Sequence, residues 1–451
     1  MRKRAELRYN LVVKLAMVIL FVLLSLVLLL NGCEDPAPPL NLNSAWQAYE
    51  AGRPDVARGL AVRAAEIGVT RDEDLGPLLE LLVRTGEAPR AVMIYQSFEG
   101  VPGTASHDSW ILALLVLGRL DDAEAAIVER HQARTMTART HQMRGRLQMG
   151  RGRPEDARRA LLESQRLDQD DPETWALLGR VFVVLRQIPR AQGLLREAWR
   201  KFPESMEVRK ALSEVVLLGK PDDDASSRLL VDLLTPVARL RPQDLNARRN
   251  LGVCLRRLGR FRAAERIFTD LTKESRATAQ DWQNLGVALA EQEEWEGAIE
   301  ALERSTKMES GHEKVFLNLG NARLRLAETS LEAAFEITQA EKAFQRALVL
   351  NPQSVIARVG LGRAAVKRNP ADDPQALGAA KFFEEAIGLD QNCFEAHLQL
   401  ALLYYDVWMP AEKTRGDGYW RAKREFEAAA ALSNPDQWTP GARQAWEEIR
   451  K

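Results

Sequence analysis

Apolar residues recur along this chain with the spacing of one helix face. Trp175, Leu178 and Phe182 fall on a single stripe, and Ala191, Leu195 and Ala198 form a second stripe that ends at Pro203. Together they predict two antiparallel helices, with Gly179 and Ala191 small where the helices approach and Pro203 turning the chain outward. The unit then returns. Asn250-Leu251-Gly252 reappears as Asn284-Leu285-Gly286 and as Asn318-Leu319-Gly320, 34 residues apart each time. A fixed period of this length marks helix-turn-helix units that cannot bury an apolar face alone and must stack on their neighbours.

Three further units keep most of the register. They run through Leu251, Gly252, Leu255, Gly259, Ala264 and Phe268, then Trp282, Leu285, Gly286, Leu289, Ala298 and Leu302, then Phe316, Leu319 and Gly320. The last of these resumes only at Ala340, Phe344, Ala347 and Pro352, about eight residues late. Two later units also stretch, from Leu361-Gly362 to Phe383 and Ala386, and from Leu400, Ala401 and Tyr404 to Ala422, Phe426 and Ala429. Weaker units are recognisable around Trp46 to Ala64, Leu79 to Tyr95, Trp110 to Ile127 and Gly145 to Leu161, while 204–242 reads as degenerate. The stretch 435–451, with Trp438 and Trp446, predicts a helix that caps the exposed end.

The order Trp, two residues, Leu-Gly, two residues, aromatic, then Ala, three residues, a large apolar residue and an exit Pro resembles the tetratricopeptide repeat family. The likeness covers nearly all of 44–434. It implies an all-α fold, a right-handed superhelical solenoid of about eleven repeats with a C-terminal capping helix, whose first helices line the concave face. It also implies that the chain binds other proteins or extended peptides. The residues that carry the likeness are packing residues, so they do not name the partner.

The N-terminus bears on location. Arg2, Lys3, Arg4 and Arg8 precede Leu15 to Leu30, a run whose only polar residue is Ser25, and the run leads into Leu30-Asn31-Gly32-Cys33. A basic segment before an apolar core is the layout of a signal peptide, and it places the rest of the chain across the membrane. The ending resembles the lipobox of bacterial lipoproteins. That resemblance implies cleavage after residue 32, lipidation (palmitate) of Cys33 and a repeat domain on the periplasmic side of the cell envelope. The alternative is an uncleaved signal anchor, since the run is short for a span of about 20 residues and long for a signal core of about 7–15. Residues 33–43 are acidic and Pro-rich, a tether that cannot form helix. Glu34-Asp35 resembles an inner-membrane retention signal in some bacteria.

Composition narrows the chemistry. Net charge is zero and no long Lys/Arg block exists, which speaks against nucleic acid as a partner. Cys254 and Cys393 sit about four units apart, beyond the reach of about 7 Å that a disulfide allows, so both are expected to be unbridged fillers. His107, His131, His141, His312 and His397 are scattered with no partner at metal or nucleophile spacing, and neither a catalytic residue, a metal site nor a cofactor is expected. Asp168-Gln169-Asp170-Asp171 and Asp222-Asp223-Asp224 lack the Gly and distal Glu of a calcium loop and read as helix caps at unit junctions.

Asn250, Asn284 and Asn318 are the sharpest candidates. They hold equivalent places on three consecutive first helices, and stacked carboxamides can bond to the main chain of an extended peptide. The peptide groove of O-linked N-acetylglucosamine transferase uses a similar asparagine ladder. The competing reading makes these residues structural parts of the repeat. Arg249, Arg256, Arg257, Lys314 and Arg325 share those helices, with Glu291 opposing them, so the groove reads as locally basic and suited to an acidic or carboxylate-ended segment. Trp408 and Trp420, placed in a long 405–421 connection, are a second possible partner site. The expected function is a membrane-anchored scaffold or assembly factor of the bacterial envelope. A helper in cytochrome or cofactor maturation that presents apoprotein to a separate enzyme is the alternative.

Overall fold

The computed structural model describes residues 42–219, 223–368, 378–408 and 416–450, and every regular element among them is helical. The apolar run, Cys33 and most of the tether lie outside the described residues, and so do the inserted stretches 369–377 and 409–415. Among the described residues the α-helices follow one another in chain order as eleven twos and one final helix. The pairs open with α1 (Asn43–Glu50) and α2 (Pro54–Ile67), α3 (Asp72–Arg84) and α4 (Ala88–Ser97), α5 (Thr104–Val116) and α6 (Leu120–Gln132). They continue with α7 (Ala138–Gly150) and α8 (Pro154–Leu167), α9 (Pro172–Val184) and α10 (Ile188–Lys201), α11 (Met206–Leu218) and α12 (Asp224–Leu240). Then come α13 (Leu245–Arg257) and α14 (Phe261–Thr272), α15 (Ala279–Ala290) and α16 (Trp295–Met308), α17 (Glu313–Leu326) and α18 (Ala333–Leu350). The last pairs are α19 (Val355–Arg368) and α20 (Ala380–Leu389), and α21 (Phe394–Trp408) and α22 (Asp417–Leu432), before α23 (Pro440–Arg450).

Two compact units divide the chain. One holds the described residues through Gly219 together with Arg239–Pro242, the other the described residues of Lys220–Ala238 and Gln243–Lys451.

In six of the pairs the register rests on a glycine of the first helix that meets a large side chain of the second, Gly362 meeting Phe383 among them. A Cβ added to Gly145 would come within 2.5 Å of Leu161, and one added to Gly179 within 2.6 Å of Leu195. In the second unit Gly252 meets Phe268 at 2.7 Å, Gly286 meets Leu302 at 2.6 Å and Gly320 meets Phe344 at 2.6 Å. Leu161, Leu195, Phe268, Leu302 and Phe344 are fully buried, so the glycine is the room each one occupies. The turn between the helices has its own marker. Gly152 and Gly259 take φ of +69°, and the residues 34 positions further on, Arg186 and Glu293, take the same left-handed conformation at φ 61° and 62° without being glycine.

Repeats are also joined by buried polar bonds between first helices. In the first unit Thr140 Oγ1 donates to Asp108 Oδ1 at 2.9 Å, and one repeat later Gln142 Nε2 donates to Thr174 Oγ1 at 3.1 Å. Thr137 closes a capping box with Thr140 at the start of α7, and Asp171 caps α9 through the amides of Glu173 and Thr174.

Three regions differ from expectation. The segment taken as degenerate, 204–242, forms regular helices α11 and α12: it lacks the Trp and Leu-Gly of the pattern but keeps helical apolar spacing, with Val208, Ala211, Leu212 and Val215 buried on α11. The extra residues of the Phe316 unit enter both the loop 327–332 and an 18-residue α18. There the turn gained is pinned by Arg323, which donates to Glu336 Oε2 at 2.6 Å and also pairs with Glu303. Finally, 405–421 is not one long connection. Helix α21 runs on to Trp408 just before Met409-Pro410, because a residue preceding proline is disfavoured in the helical conformation, and α22 restarts at Asp417.

Candidate functional site

The first helices of the second unit build a groove of about 890 Å³. Its wall on α15 is Gln280, Gln283, Asn284 and Val287, which are spaced i, i+3, i+4, i+7 and so share one face. Its wall on α17 is Lys314, Leu317, Asn318 and Asn321, the same four positions 34 residues later. Arg256 closes one end and Ile356 of α19 the other. Equivalent positions on successive repeats thus bring five carboxamides to one surface. Asn284 is nearly buried and accepts from Gln280 Nε2 at 3.4 Å, while Asn318 is half-buried.

The charges around the groove are unequal. Burial pulls Arg256 below its ordinary pKa against the opposing pull of Glu291, and its Nε is buried without a hydrogen-bond partner. Lys314 is exposed. Glu313 is already engaged, accepting from Asn351 Nδ2 at 2.8 Å.

Of the residues singled out from the sequence, Asn284, Asn318, Arg256 and Lys314 line this groove. Arg325 lines a smaller adjoining hollow of about 230 Å³ with Asn318 and Asn321, and reaches Glu328 at 3.5 Å. Asn250 is half-buried and Arg257 exposed, and neither is among the groove's lining residues. Arg249 is turned into the repeat interface, where its Nε and a terminal nitrogen bond Asp281 at 2.7 and 2.9 Å. Trp420 is 54% exposed on α22, edge-on to Tyr419, with Lys423 Nζ 5.6 Å from its ring centre. The side chain of Trp408 lies outside the described residues.

Sequence reasoning missed Gln280, Gln283 and Asn321. It followed the Asn-Leu-Gly triplet, whereas Gln280 and Asn321 sit one turn before and after the asparagine and Gln283 directly before it, at positions whose identity changes from repeat to repeat.

In the first unit the corresponding helices carry ion pairs instead. Arg84 and Arg139 reach Glu80 Oε1 at 2.7 and 3.0 Å, Arg139 reaches Glu173 Oε2 at 2.9 Å, and Arg146 also pairs with Glu173. Burial pushes Glu80 up, but Arg139 and Arg84 outweigh it and hold the carboxyl below its usual range. Among the described residues no group of three or more His, Cys, Asp and Glu side chains gathers as metal ligands, no helix is long and apolar enough to cross a membrane, and Cys254 and Cys393 are free thiols.

Residues 255–312 and 319–392 match the family model described as tetratricopeptide repeat. No curated protein matches the chain. Among solved structures, a thermophilic tetratricopeptide protein of Thermus thermophilus is 18% identical over 46% of this chain and 98% of its own, with a TM-score of 0.36. Yeast Tom70 is 12% identical over 92% of this chain and 90% of its own, at a TM-score of 0.37. Pseudomonas aeruginosa PilF is 16% identical over 51% of this chain and 96% of its own, at 0.38. Residues 255–312 and 319–392 are thus tetratricopeptide repeats, and glycine-centred helix pairs at Gly145 and Gly179 carry the same register in the first unit.

Proposed function

We propose that this protein is a membrane-anchored scaffold or assembly factor of the bacterial cell envelope, tethered through Cys33, whose second-unit groove holds an extended peptide segment of a partner. The observation that carries the reading is the gathering of Gln280, Gln283, Asn284, Asn318 and Asn321 on one surface of two successive repeats. Each carboxamide offers both a donor and an acceptor, which is what each peptide unit of an extended strand requires, so such a surface grips main chain with little regard for sequence. Arg256 and Lys314 at its margin favour an acidic or carboxylate-ended segment.

The test uses the full-length protein in native membranes, with a photo-crosslinking residue at position 321 to identify the captured segment. The affinity of that peptide is then measured for the Gln283→Ala, Asn318→Ala, Asn321→Ala triple variant. Each lost hydrogen bond is expected to cost about 0.5–1.5 kcal/mol with helicity unchanged. Undiminished affinity in that variant, with loss on Trp420→Ala, moves the site to α22 and sinks the groove reading.

A further inference from the structure

The smaller hollow beside the carboxamide groove is built of different chemistry. It lies where α15 and α16 meet α17, and it shares Val287, Glu291, Asn318 and Asn321 with the groove, so the two form one continuous surface. On α17 the face that carries Lys314, Leu317, Asn318 and Asn321 runs on by one turn to Arg325, which takes the groove past its carboxamides and into the hollow. There the walls turn apolar. Val287, Ala290 and Trp295 stand half-buried around it, over Leu302 and Ala322, which are buried.

Ala290 makes the room. Its counterparts 34 residues before and after are the large Arg256 and Leu324. Trp295 opens α16, and its indole makes no ring contact and no hydrogen bond among the described residues, whereas the ring of Trp175 meets Phe202 and its Nε1 donates to the carbonyl of Gln169. The charges at the rim call for no ion, since Glu291 attracts Arg256 and Arg325 reaches Glu328 at 3.5 Å. A volume of about 230 Å³ falls below the range of about 300–1,000 Å³ for small-molecule sites, yet it accommodates one large side chain.

We propose, resting on the peptide-capture reading of the groove, that this hollow is its specificity pocket and receives one bulky apolar side chain, of leucine, methionine or phenylalanine, from the segment whose main chain lies on Asn318 and Asn321. An extended peptide turns alternate side chains toward the surface it lies on, so a residue held by those carboxamides brings a side chain within reach of the hollow. Burying an apolar side chain there removes apolar area from water on both partners, while a charged or amide side chain would lose hydration against Val287, Ala290 and Trp295. The carboxamides thus hold a strand of any sequence, and Ala290 and Trp295 choose among strands.

The test selects a random heptapeptide library, displayed on phage, against the full-length protein in detergent, and titrates the recovered peptides calorimetrically. They are expected to share one Leu, Met or Phe whose replacement by Ala weakens binding at least about tenfold. Ala290→Leu fills the hollow and is expected to abolish that difference, so that a peptide and its Ala form bind the variant alike; circular dichroism verifies its fold. Trp295→Ala removes one wall and is expected to shrink the same difference. Gln280→Ala/Gln283→Ala, which alters residues lining the groove but not the hollow, is expected to weaken both peptide forms equally and keep the tenfold ratio. Recovered peptides with no shared apolar residue, or a tenfold ratio that persists in both Ala290→Leu and Trp295→Ala, overturn the pocket and leave the groove standing. Failure to recover any peptide, or binding indifferent to the glutamine double variant, ends the groove reading and this inference with it.

Discussion

Arg249 lies fork to carboxylate on Asp281 of the next repeat, with bonds of 2.7 and 2.9 Å, and Asp281 is fully buried. The same carboxylate accepts from the Thr278 amide and hydroxyl, both at 2.9 Å, so one acid caps α15 and ties it to α13. Burial raises the Asp281 pKa, but the hydrogen bonds from Arg249 and Thr278 outweigh it and hold the group below its usual value. A carboxyl depressed on folding stabilises fully above its unfolded pKa of about 3.9, and that stability is lost as pH falls through the lower folded value. Asp281→Asn is therefore expected to cost about 1–3 kcal/mol at neutral pH and to flatten the acid limb of the stability profile. Urea melts at pH 7 and pH 3 check it; an equal loss at both would mean that the pair contributes nothing ionic.

Gly179 and Leu195 test the repeat register. Filling the glycine forces a side chain into space that Leu195 already holds, so Gly179→Leu is expected to destabilise by about 1–3 kcal/mol. The double variant Gly179→Ala/Leu195→Val, which returns volume from one side to the other, is expected to recover part of the cost of Gly179→Ala alone. Thermal melts of the three proteins decide. No recovery would place the clash elsewhere.

The left-handed turn residue gives a milder contrast. Arg186 and Glu293 occupy a conformation that costs a side-chain-bearing residue about 1–2 kcal/mol, against about 0.5–1 kcal/mol of extra chain entropy for glycine. Glu293→Gly is expected to be neutral or to stabilise by up to about 1 kcal/mol, whereas Gly259→Val destabilises. Denaturant midpoints of the two variants should shift in different directions, or only the second should shift.

The packing register was legible in the chain because it depends on residue size at fixed spacing. Gly252 and Phe268, or Gly286 and Leu302, announce their contact by identity alone. Arg249 shows where that ends. Its partner Asp281 lies 32 residues away, two short of the period, because a residue on one first helix meets the next one half a turn earlier. A period of 34 does not reveal that offset, and so the side chain read as a groove cation proves to be interface. The groove shows the opposite failure. Its residues do obey the period, but Gln280 aligns with Lys314 and Val287 with Asn321, and unlike residues at equivalent positions leave no recurring letter to follow.

His397 stands where Trp175 stands in its own repeat. Trp175 Nε1 donates to the carbonyl of Gln169 at 3.1 Å, and His397 Nε2 lies 3.1 Å from the carbonyl of Gln391, in each case six residues back. The histidine adds a contact of Nδ1 with Glu425 Oε2 at 2.6 Å, deep between α21 and α22, and Arg424 holds the other carboxylate oxygen at 2.7 Å. His397→Trp keeps the carbonyl bond but leaves Glu425 short of a buried partner, and is expected to cost about 1–3 kcal/mol. Adding Glu425→Leu removes the orphaned carboxylate and is expected to restore much of that loss. A double-mutant cycle in urea measures the coupling, and additive costs would show that the two side chains do not act as a pair.

The anchor is tested apart from the fold. Leu30-Asn31-Gly32-Cys33 after an apolar run leads us to expect that residues 1–32 are removed and that Cys33 carries lipid. Cys33→Ser is then expected to leave an unprocessed chain of greater mass. A single acyl chain gives only marginal membrane binding, so stable attachment needs at least two, and the mass of the mature N-terminal peptide should show more than one. Intact-mass measurement on protein extracted from membranes distinguishes the cases: a retained Met1 with an unmodified Cys33 would establish the uncleaved anchor instead. The repeat domain is expected to keep its helicity in either form, because the described helices all begin at Asn43 or later, beyond the cleavage point and Cys33.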